Sequence, residues 1–419
     1  MTSEIVDAYH KGWPSEAAGV PLDGIAERRW NLFEAGFLLP VMVLKRSALE
    51  HNVETMARFC QRHGVSLAPH GKTTMSPEIV AAQLDAGAWA ITAATAAQAR
   101  AFRRLGIGRI VIANQVLDRG SLRWLAGELD EHPEAELICL VDAIEGVELM
   151  EAELERMGAG RRVPVLVELG VLGGRTGARA VADAESVAHA VRRCAHLELA
   201  GVEAYAGVIH RATDDVALHD ITALLRSVRD LVERLASRGA FGTRSEILVS
   251  AGGSQWFDAV VELLGGPWRL DLPVRTVLRS GCYVTHDSGI YRRASPFDGR
   301  GVYEDDLKPA LEVWAVVQSV PEPGLAIAGF GKRDVPYDIE LPVPLGVRGR
   351  DGSLRAVGEV KVIDLNDQHA YLRVDGAALA VGELLRCGIS HPCTAFDKWR
   401  LIPVVEDDYT VTGAARTLF

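Results

Sequence analysis

The sequence has few cysteines, no long apolar run and no excess of positive charge, and each absence excludes a class of protein. Its six cysteines are scattered over 419 residues without the spacing of a disulfide framework, which fits a reducing compartment. No uninterrupted apolar stretch reaches the roughly 18 residues that a membrane-spanning helix needs. The formal net charge of -11 disfavours nucleic acid and anionic membranes as partners, because like charges repel.

The N-terminus is polar and acidic, and it resembles neither a signal peptide nor a transit peptide. Hydrophobic residues make up 48% of the chain and charged residues 24%, which is typical of a globular protein with a sizeable core. We therefore predict a cytoplasmic protein with no membrane or nucleic-acid partner.

Short apolar runs alternate with amphipathic helical stretches from residue 65 onwards. Eight such runs read as strands, at residues 65–68, 89–92, 109–113, 136–141, 163–168, 199–205, 247–250 and 274–278. Their number and spacing predict an α/β fold with a (β/α)8 barrel. An open doubly wound sheet would give a similar pattern and remains an alternative at this point.

The character of the chain changes after about residue 288, where helical periodicity fades and short strand patterns lie between Gly, Pro and Asp turns. We predict an N-terminal extension at 1–36, the barrel at 37–289 and a C-terminal, mainly β domain at 290–419. The strand pattern at 38–44 could belong to either domain, and residues 339–342 are among the strands predicted for the second one.

The strongest candidate for chemistry is Lys72, in the sequence A-P-H-G-K-T-T at 68–74. Pro69 ends the first predicted barrel strand, and Ser76 with Pro77 predicts the N-cap and first position of the next helix. A lysine at the mouth of a buried strand can have its pKa lowered and its amine made nucleophilic. The alternative is an ordinary surface lysine in a strand-to-helix loop.

Other candidates follow the ends of later strands, where barrel active sites are built. Arg175, in a Gly-rich turn, could offer a fixed cation to a ring nitrogen, phosphate or carboxylate. The loop Gly252, Gly253 and Ser254 could cradle a phosphate with backbone N–H groups ahead of a helix starting near residue 255. Tyr283 could donate a hydrogen bond from its hydroxyl to the same phosphate. A turn arginine, a plain loop and a packed tyrosine are the respective alternatives.

A possible metal pair lies far along the chain, in the sequence S-H-P-C at 390–393. His391 and Cys393 are two residues apart in an extended segment, so their side chains point to the same side and could bind one soft divalent metal. Two protein ligands would leave open positions for water or substrate. The alternative is a loop with an incidental cysteine.

Taken together, these motifs resemble the fold-type III pyridoxal-phosphate enzymes of the D-serine dehydratase and D-threonine aldolase-like family, which have an alanine racemase N-terminal-type barrel. The resemblance covers about residues 38–405. It implies that Lys72 holds pyridoxal 5'-phosphate covalently and that His391 and Cys393 bind a divalent metal, usually zinc. It also implies cofactor contacts from Arg175, Thr176, Tyr205, His210, Gly252, Gly253, Ser254 and Tyr283.

The resemblance further implies a lyase that converts a β-hydroxy-D-amino acid, such as D-serine, to a 2-oxo acid and ammonia. Cys393 favours the dehydratases, because the aldolase branch tends to have aspartate there. The alternatives are a D-threonine-type aldolase releasing glycine and an aldehyde, and a non-catalytic cofactor-carrying protein. Departures from the family pattern, such as the stretch 169–172, favour a bulkier or more apolar substrate than D-serine. By analogy we expect a homodimer.

Overall fold

The structure is a computed structural model that describes residues 4–208, 213–242, 244–376 and 379–419. Within these residues no helix is both long and apolar enough to cross a membrane. Two sheets organise the chain, one parallel and eight-stranded, the other ten-stranded and mainly antiparallel.

The parallel sheet is built from the eight predicted strand regions. Its strands are β2 (Ser66–Leu67), β3 (Ile91–Ala93), β4 (Arg109–Gln115), β5 (Glu136–Val141), β6 (Val163–Leu169), β7 (Leu197–Tyr205), β8 (Ile247–Gly252) and β9 (Val274–Leu278), in the order β2-β9-β8-β7-β6-β5-β4-β3. A parallel bridge between His70 and Thr92, with a 2.7 Å bond from Trp89 N to Leu67 O, joins the two end strands. The sheet therefore curls into a barrel, which confirms the predicted fold class.

The helices are α1 (Arg46–His63), α2 (Pro77–Asp85), α3 (Ala96–Arg104), α4 (Arg119–Glu131), α5 (Ile144–Met157), α6 (Val181–Arg193), α7 (Asp215–Ser237), α8 (Phe257–Leu264) and α9 (Ile290–Ala294). Ser76 is the N-cap residue of α2 and Pro77 its first residue, as predicted. The helix α1 begins at Arg46, and the Ser47 hydroxyl in its first turn donates to Asp407 Oδ1 at 2.9 Å.

The second sheet contains β1 (Val41–Lys45), β10 (Leu311–Glu322), β11 (Leu325–Ala328), β12 (Val343–Arg348), β13 (Leu354–Arg355), β14 (Glu359–Leu365), β15 (Ala370–Asp375), β16 (Leu384–Gly388), β17 (Leu401–Val405) and β18 (Val411–Arg416). The β1 strand pairs with β10 and β17, so it lies in this sheet and not in the barrel. The prediction of a strand at 339–342 is wrong, since β12 starts only at Val343.

Each sheet has its own buried core, and the N-terminal residues form a third core on the C-terminal sheet. There Trp13 packs against Trp30 and Phe37 and donates its indole N–H to Leu401 O at 3.1 Å. Asn52 of α1 ties the barrel to the segment leading into β10, through 2.8 Å and 2.7 Å bonds with the backbone of Lys308. These contacts hold the C-terminal sheet against the barrel.

Candidate active site

Lys72 lies in a 3-10 turn, Gly71–Thr73, which is separated from the end of β2 by residues 68–70. The turn packs closely on α3, because a Cβ at position 71 would come within 2.5 Å of the Phe102 ring. Lys72 is partly exposed between buried neighbours, so its side chain is accessible at the end of the barrel where strands finish.

The Nδ1 atom of His70 is buried beside this lysine and has no hydrogen-bond partner among the described residues. Burial holds the pKa of His70 well below its usual value, and the charges of Lys72, Arg279 and Arg175 lower it further. A neutral imidazole with one free nitrogen therefore lies among three cations. That unsatisfied buried atom fits a polar group of a bound ligand.

A buried ion pair in the barrel interior joins Glu203 of β7 to Arg279, the residue after β9, across the intervening strand β8. Arg279 also donates to Ser250 Oγ at 2.8 Å and to Ala204 O at 3.2 Å. Burial raises the pKa of Glu203 to about 7, although the attraction of Arg279 opposes this. Sequence reasoning missed this pair; its signal was a pair of ionisable residues inside or directly after apolar strands.

Arg175 and Thr176 follow β6, in the predicted Gly-rich turn. The Arg175 guanidinium lies 4.7 Å from the centre of the Tyr205 ring, a cation–π contact. Thr176 Oγ1 donates to Glu168 at 2.7 Å, and Gln115 Nε2 donates to the other oxygen of Glu168 at 2.6 Å. The turn is thereby fixed to the end of its strand, with one cation over an aromatic ring.

The Gly-Gly-Ser loop lies at the end of β8, and its backbone leaves room for a bound anion. Gly253 has φ +129°, a conformation that side chains disfavour, and a Cβ on Gly252 would lie 3.0 Å from the Tyr205 ring. The carbonyl of Gly253 accepts from Ser280 Oγ at 2.9 Å. The helix α8 begins at Phe257, two residues later than predicted, so Ser254 and Gln255 extend the loop.

Tyr283 requires a correction, because the structure does not bring it to this loop. Its side chain is 2% exposed in the barrel core, and its hydroxyl accepts a 2.8 Å bond from Gln83 Nε2 of α2. The preceding residue of this 3-10 turn, Cys282, instead contacts Cys393, with 3.3 Å between the two sulfurs. His210, also predicted to contact a cofactor, lies outside the described residues.

His391 and Cys393 meet the barrel from the opposite side. The Cys393 Sγ lies 3.4 Å from Thr73 Oγ1 and 3.3 Å from Cys282 Sγ. Hydrogen bonds from Cys282 and then His391 hold the pKa of the Cys393 thiol well below its usual value. The C-terminal domain thus places the Cys393 sulfur next to Thr73, the residue that follows Lys72.

Two carboxylates that sequence reasoning missed position His391. Its Nδ1 lies 2.6 Å from Asp338 Oδ2, while the other Asp338 oxygen accepts from Thr394 Oγ1 at 2.8 Å. Its backbone N–H, in a left-handed conformation with φ 64°, donates to Asp287 Oδ2 at 2.7 Å. A carboxylate that orients a histidine is common around protein metal sites.

An imidazole nitrogen and a thiolate form a donor set that suits a soft divalent metal such as zinc. Within the described ranges, no group of three or more His, Cys, Asp and Glu side chains is arranged to hold a metal ion. The pair therefore fits an open site, in which ligands from solvent or substrate complete the coordination.

A cavity of about 360 Å³ connects the two sides of this region. Tyr205, Gly207, Ser254 and Gln255 line it from the barrel, and Ile290, Tyr291, Ile339 and His391 line it from the other side. The candidate anion loop and the candidate metal ligand therefore face one shared space, large enough for a small molecule.

Comparison with known families matches both halves of the chain. Residues 44–260 match the model of the alanine racemase N-terminal domain, and residues 310–405 match that of the putative serine dehydratase domain. A D-threonine aldolase from an Arthrobacter species is 28% identical over 88% of this chain and 89% of its own length. A 3-hydroxy-D-aspartate aldolase from Paracoccus denitrificans is 24% identical over 85% and 86% of the two chains.

Solved structures share the whole architecture. The D-threonine aldolase from Filomicrobium marinum has a TM-score of 0.72 and 25% identity over 91% of this chain and 95% of its own. The D-threo-3-hydroxyaspartate dehydratase from a Delftia species has a TM-score of 0.72 and 24% identity over 91% and 98%. Forms of that dehydratase have been solved with one histidine replaced by alanine and, metal-free, with a cysteine two residues later replaced.

Proposed function

Because this chain belongs to the alanine racemase N-terminal domain family, whose members of this type are fold-type III pyridoxal-phosphate enzymes, we propose that it is a metal-assisted lyase. Its proposed substrate is a β-hydroxy-D-amino acid, and its products are the corresponding 2-oxo acid and ammonia. Both named aldolases and the named dehydratase act on substrates of this class, which supports the coarser assignment.

One observation carries the proposal: the 3.4 Å contact between Cys393 Sγ and Thr73 Oγ1. It puts the His391 and Cys393 pair beside the turn that bears Lys72. A lysine able to move a proton and a metal pair able to bind a hydroxyl would thus act on adjacent carbons of one small molecule. The histidine and cysteine replaced in the related dehydratase have the same spacing, which supports this pair as metal ligands.

Several residues fit the cofactor. Lys72 would hold it covalently, the loop of Gly252, Gly253 and Ser254 would accept its phosphate, and Arg175 with Tyr205 would lie beside it. Two observations support this fit between the residues and the cofactor. A Cβ on Gly252 would obstruct the loop, and the Nδ1 of His70 has no partner among the described residues. Bound pyridoxal phosphate would supply an electron sink for negative charge at the substrate's α-carbon.

Lys72 would remove the α-proton, because its amine is the accessible base of the turn. A metal held by His391 and Cys393 would stabilise the departing β-hydroxide as a Lewis acid. Asp338 would keep the His391 ring in place through its 2.6 Å bond. The substrate loses its α-proton and β-hydroxide as one water, and one water is taken up when ammonia is released, so the atoms balance.

The alternative is a D-threonine-type aldolase, which breaks the Cα–Cβ bond of the same substrates, and the 28% identity to a D-threonine aldolase favours it. Cys393 favours the dehydratase, because the aldolase branch tends to have aspartate at this position. A non-catalytic cofactor carrier would have no use for a metal pair at the cleft.

The deciding experiment loads the purified protein with pyridoxal phosphate and zinc and supplies β-hydroxy-D-amino acids. We expect ammonia and 2-oxo acid in equal amounts, with loss of activity when a chelator removes the metal. Glycine plus aldehyde as main products would establish the aldolase instead. Loading of the cofactor without turnover of any substrate would favour the carrier protein.

A further inference from the structure

One part of the cavity wall, on the side of His391, carries apolar side-chain surface. It is formed by Ile290 and Tyr291, at the start of α9, and by Ile339, in the segment that precedes β12. Ile290 and Ile339 are only partly buried, so each has side-chain surface left for a ligand to cover. A ligand that covered this surface would gain free energy from each methyl or methylene group it placed there.

The charges around this wall are acidic. Ile339 lies between Asp338, which binds His391, and Glu340, which accepts from Ser390 Oγ at 3.2 Å. One of the two arginines of α9, Arg293, is paired with Glu340. Among the described residues that line the cavity, none is a lysine or an arginine. A negatively charged β-substituent here would therefore meet Asp338 and Glu340, and the described residues that line the cavity would offer it no lysine or arginine as a partner.

The proposed reaction determines which part of the substrate reaches this wall. The β-hydroxyl and the β-substituent are bonded to the same carbon. If the hydroxyl is directed to a metal on His391 and Cys393, the substituent must lie within a few bond lengths of His391. The residues beside His391 in the cavity are the isoleucines and Tyr291, so they would contact the substituent.

We propose that the substrate carries an uncharged, apolar β-substituent larger than hydrogen, and that Ile339 determines this preference. The proposal rests on the proposed function and narrows its substrate class. It separates this chain from the relatives named for 3-hydroxy-D-aspartate, whose substrate has a carboxylate in that place. Each methylene buried against Ile290 and Ile339 should improve kcat/KM by roughly fourfold.

The first test is a panel of substrates with the cofactor- and zinc-loaded enzyme. We expect kcat/KM to fall in the order β-hydroxy-D-leucine, D-threonine, D-serine and 3-hydroxy-D-aspartate, with roughly tenfold or more between the first and third. Equal or higher kcat/KM for 3-hydroxy-D-aspartate than for β-hydroxy-D-leucine would overturn the proposal.

The second test changes the proposed determinant. Ile339→Arg should raise kcat/KM for 3-hydroxy-D-aspartate by about tenfold or more and lower it for β-hydroxy-D-leucine. Ile363→Arg is the matched control, because Ile363 is a solvent-facing isoleucine of β14 and should leave both values unchanged. If both variants change the two values equally, Ile339 does not determine specificity.

A binding measurement keeps the proposal testable without turnover. D-Leucine and D-aspartate lack the β-hydroxyl, and their binding can be followed by the change in cofactor absorbance. We expect D-leucine to bind at least about tenfold more tightly to the wild-type protein. Tighter binding of D-aspartate would overturn the proposal even if elimination occurs. Preference for D-leucine without any ammonia release would instead contradict the proposed function and leave the wall's preference standing.

Discussion

The two sides of the cleft are built differently. On the barrel side, Lys72, Tyr205 and the Gly-Gly-Ser loop each lie at or after the end of a parallel strand whose backbone is hydrogen-bonded on both edges. On the other side, His391 and Cys393 lie in a turn, and Ile339 lies in a segment without regular structure. The barrel side is thus positioned by backbone ladders, whereas the second side depends on individual side chains. We infer that substitutions on the second side can change substrate recognition without changing cofactor recognition on the barrel side.

Asp287 shows how the second side is held. The left-handed backbone of His391 costs about 1–2 kcal/mol for a residue other than glycine. Asp287 Oδ2 accepts the His391 N–H at 2.7 Å, while its Oδ1 accepts from the backbone of Gly289 and Tyr291. One buried carboxylate therefore joins the turn bearing His391 to the start of α9.

The largest expected effect concerns the barrel side. Lys72→Ala should abolish the visible absorbance of bound cofactor and lower kcat by about 10²–10⁴-fold or more, since both the attachment group and the base are lost. Absorbance spectra and ammonia release would measure this. Lys361→Ala, in an exposed position of β14, is the control and should leave both unchanged. Retention of the band in Lys72→Ala would disprove the assignment.

Changes on the second side should separate metal binding from cofactor binding. Cys393→Ala should remove bound metal and lower kcat by about 10²-fold, because Lewis-acid help is worth several kcal/mol, while the cofactor absorbance remains. Metal content by elemental analysis and activity would be measured together.

Cys282→Ala offers a matched comparison, because its sulfur lies only 3.3 Å from that of Cys393 yet is not part of the His-x-Cys pair. We expect this variant to retain most of its metal. An equal loss of metal in both variants would show that the two thiols share the role, and the two sides of the cleft would then both supply metal ligands.

A smaller effect is expected from the carboxylate that orients His391. Asp338→Asn should weaken zinc binding by about 10–100-fold, since the oriented ring becomes less basic and less fixed. Competition with a chelating dye would give the affinity. Asp367→Asn, at an exposed pair with Arg333, should bind zinc normally. Unchanged affinity in Asp338→Asn would mean that the turn alone positions His391.

Periodicity predicted the barrel strands well, because buried parallel strands are short apolar runs with helices between them. The cluster at Lys72, Arg175 and Gly253 followed from the same rule, since strand ends of a barrel share one face. Tyr283 was placed wrongly because a 3-10 turn sends neighbouring side chains in different directions. Only the structure shows that Cys282, and not Tyr283, contacts Cys393.

The second side of the cleft was harder to predict. Asp338 and Asp287 lie 53 and 104 residues before His391, so no local pattern joins them. The predicted strand at 339–342 failed because this segment has no regular structure ahead of β12, and Ile339 lines the cavity instead. Contacts between separate domains depend on tertiary packing, which periodicity does not report.

The smallest effect concerns Glu203, which is buried in the barrel interior. Burial gives Glu203 a pKa of about 7 in the folded protein, against an ordinary value of 4.5. Since this pKa is raised, the stabilisation from the protonated carboxyl is full below about pH 4.5 and is lost as the pH rises through 7.

Glu203→Gln should therefore remove a pH dependence from stability. From pH 5 to pH 8 the wild-type protein should lose on the order of 1–3 kcal/mol relative to the variant, as measured by urea unfolding at each pH. Glu198→Gln, on the same strand but partly exposed and paired with Arg244, should keep the wild-type slope. If stability instead rose with pH relative to the variant, Arg279 would keep Glu203 ionised. The two residues would then form a permanent ion pair in the barrel interior.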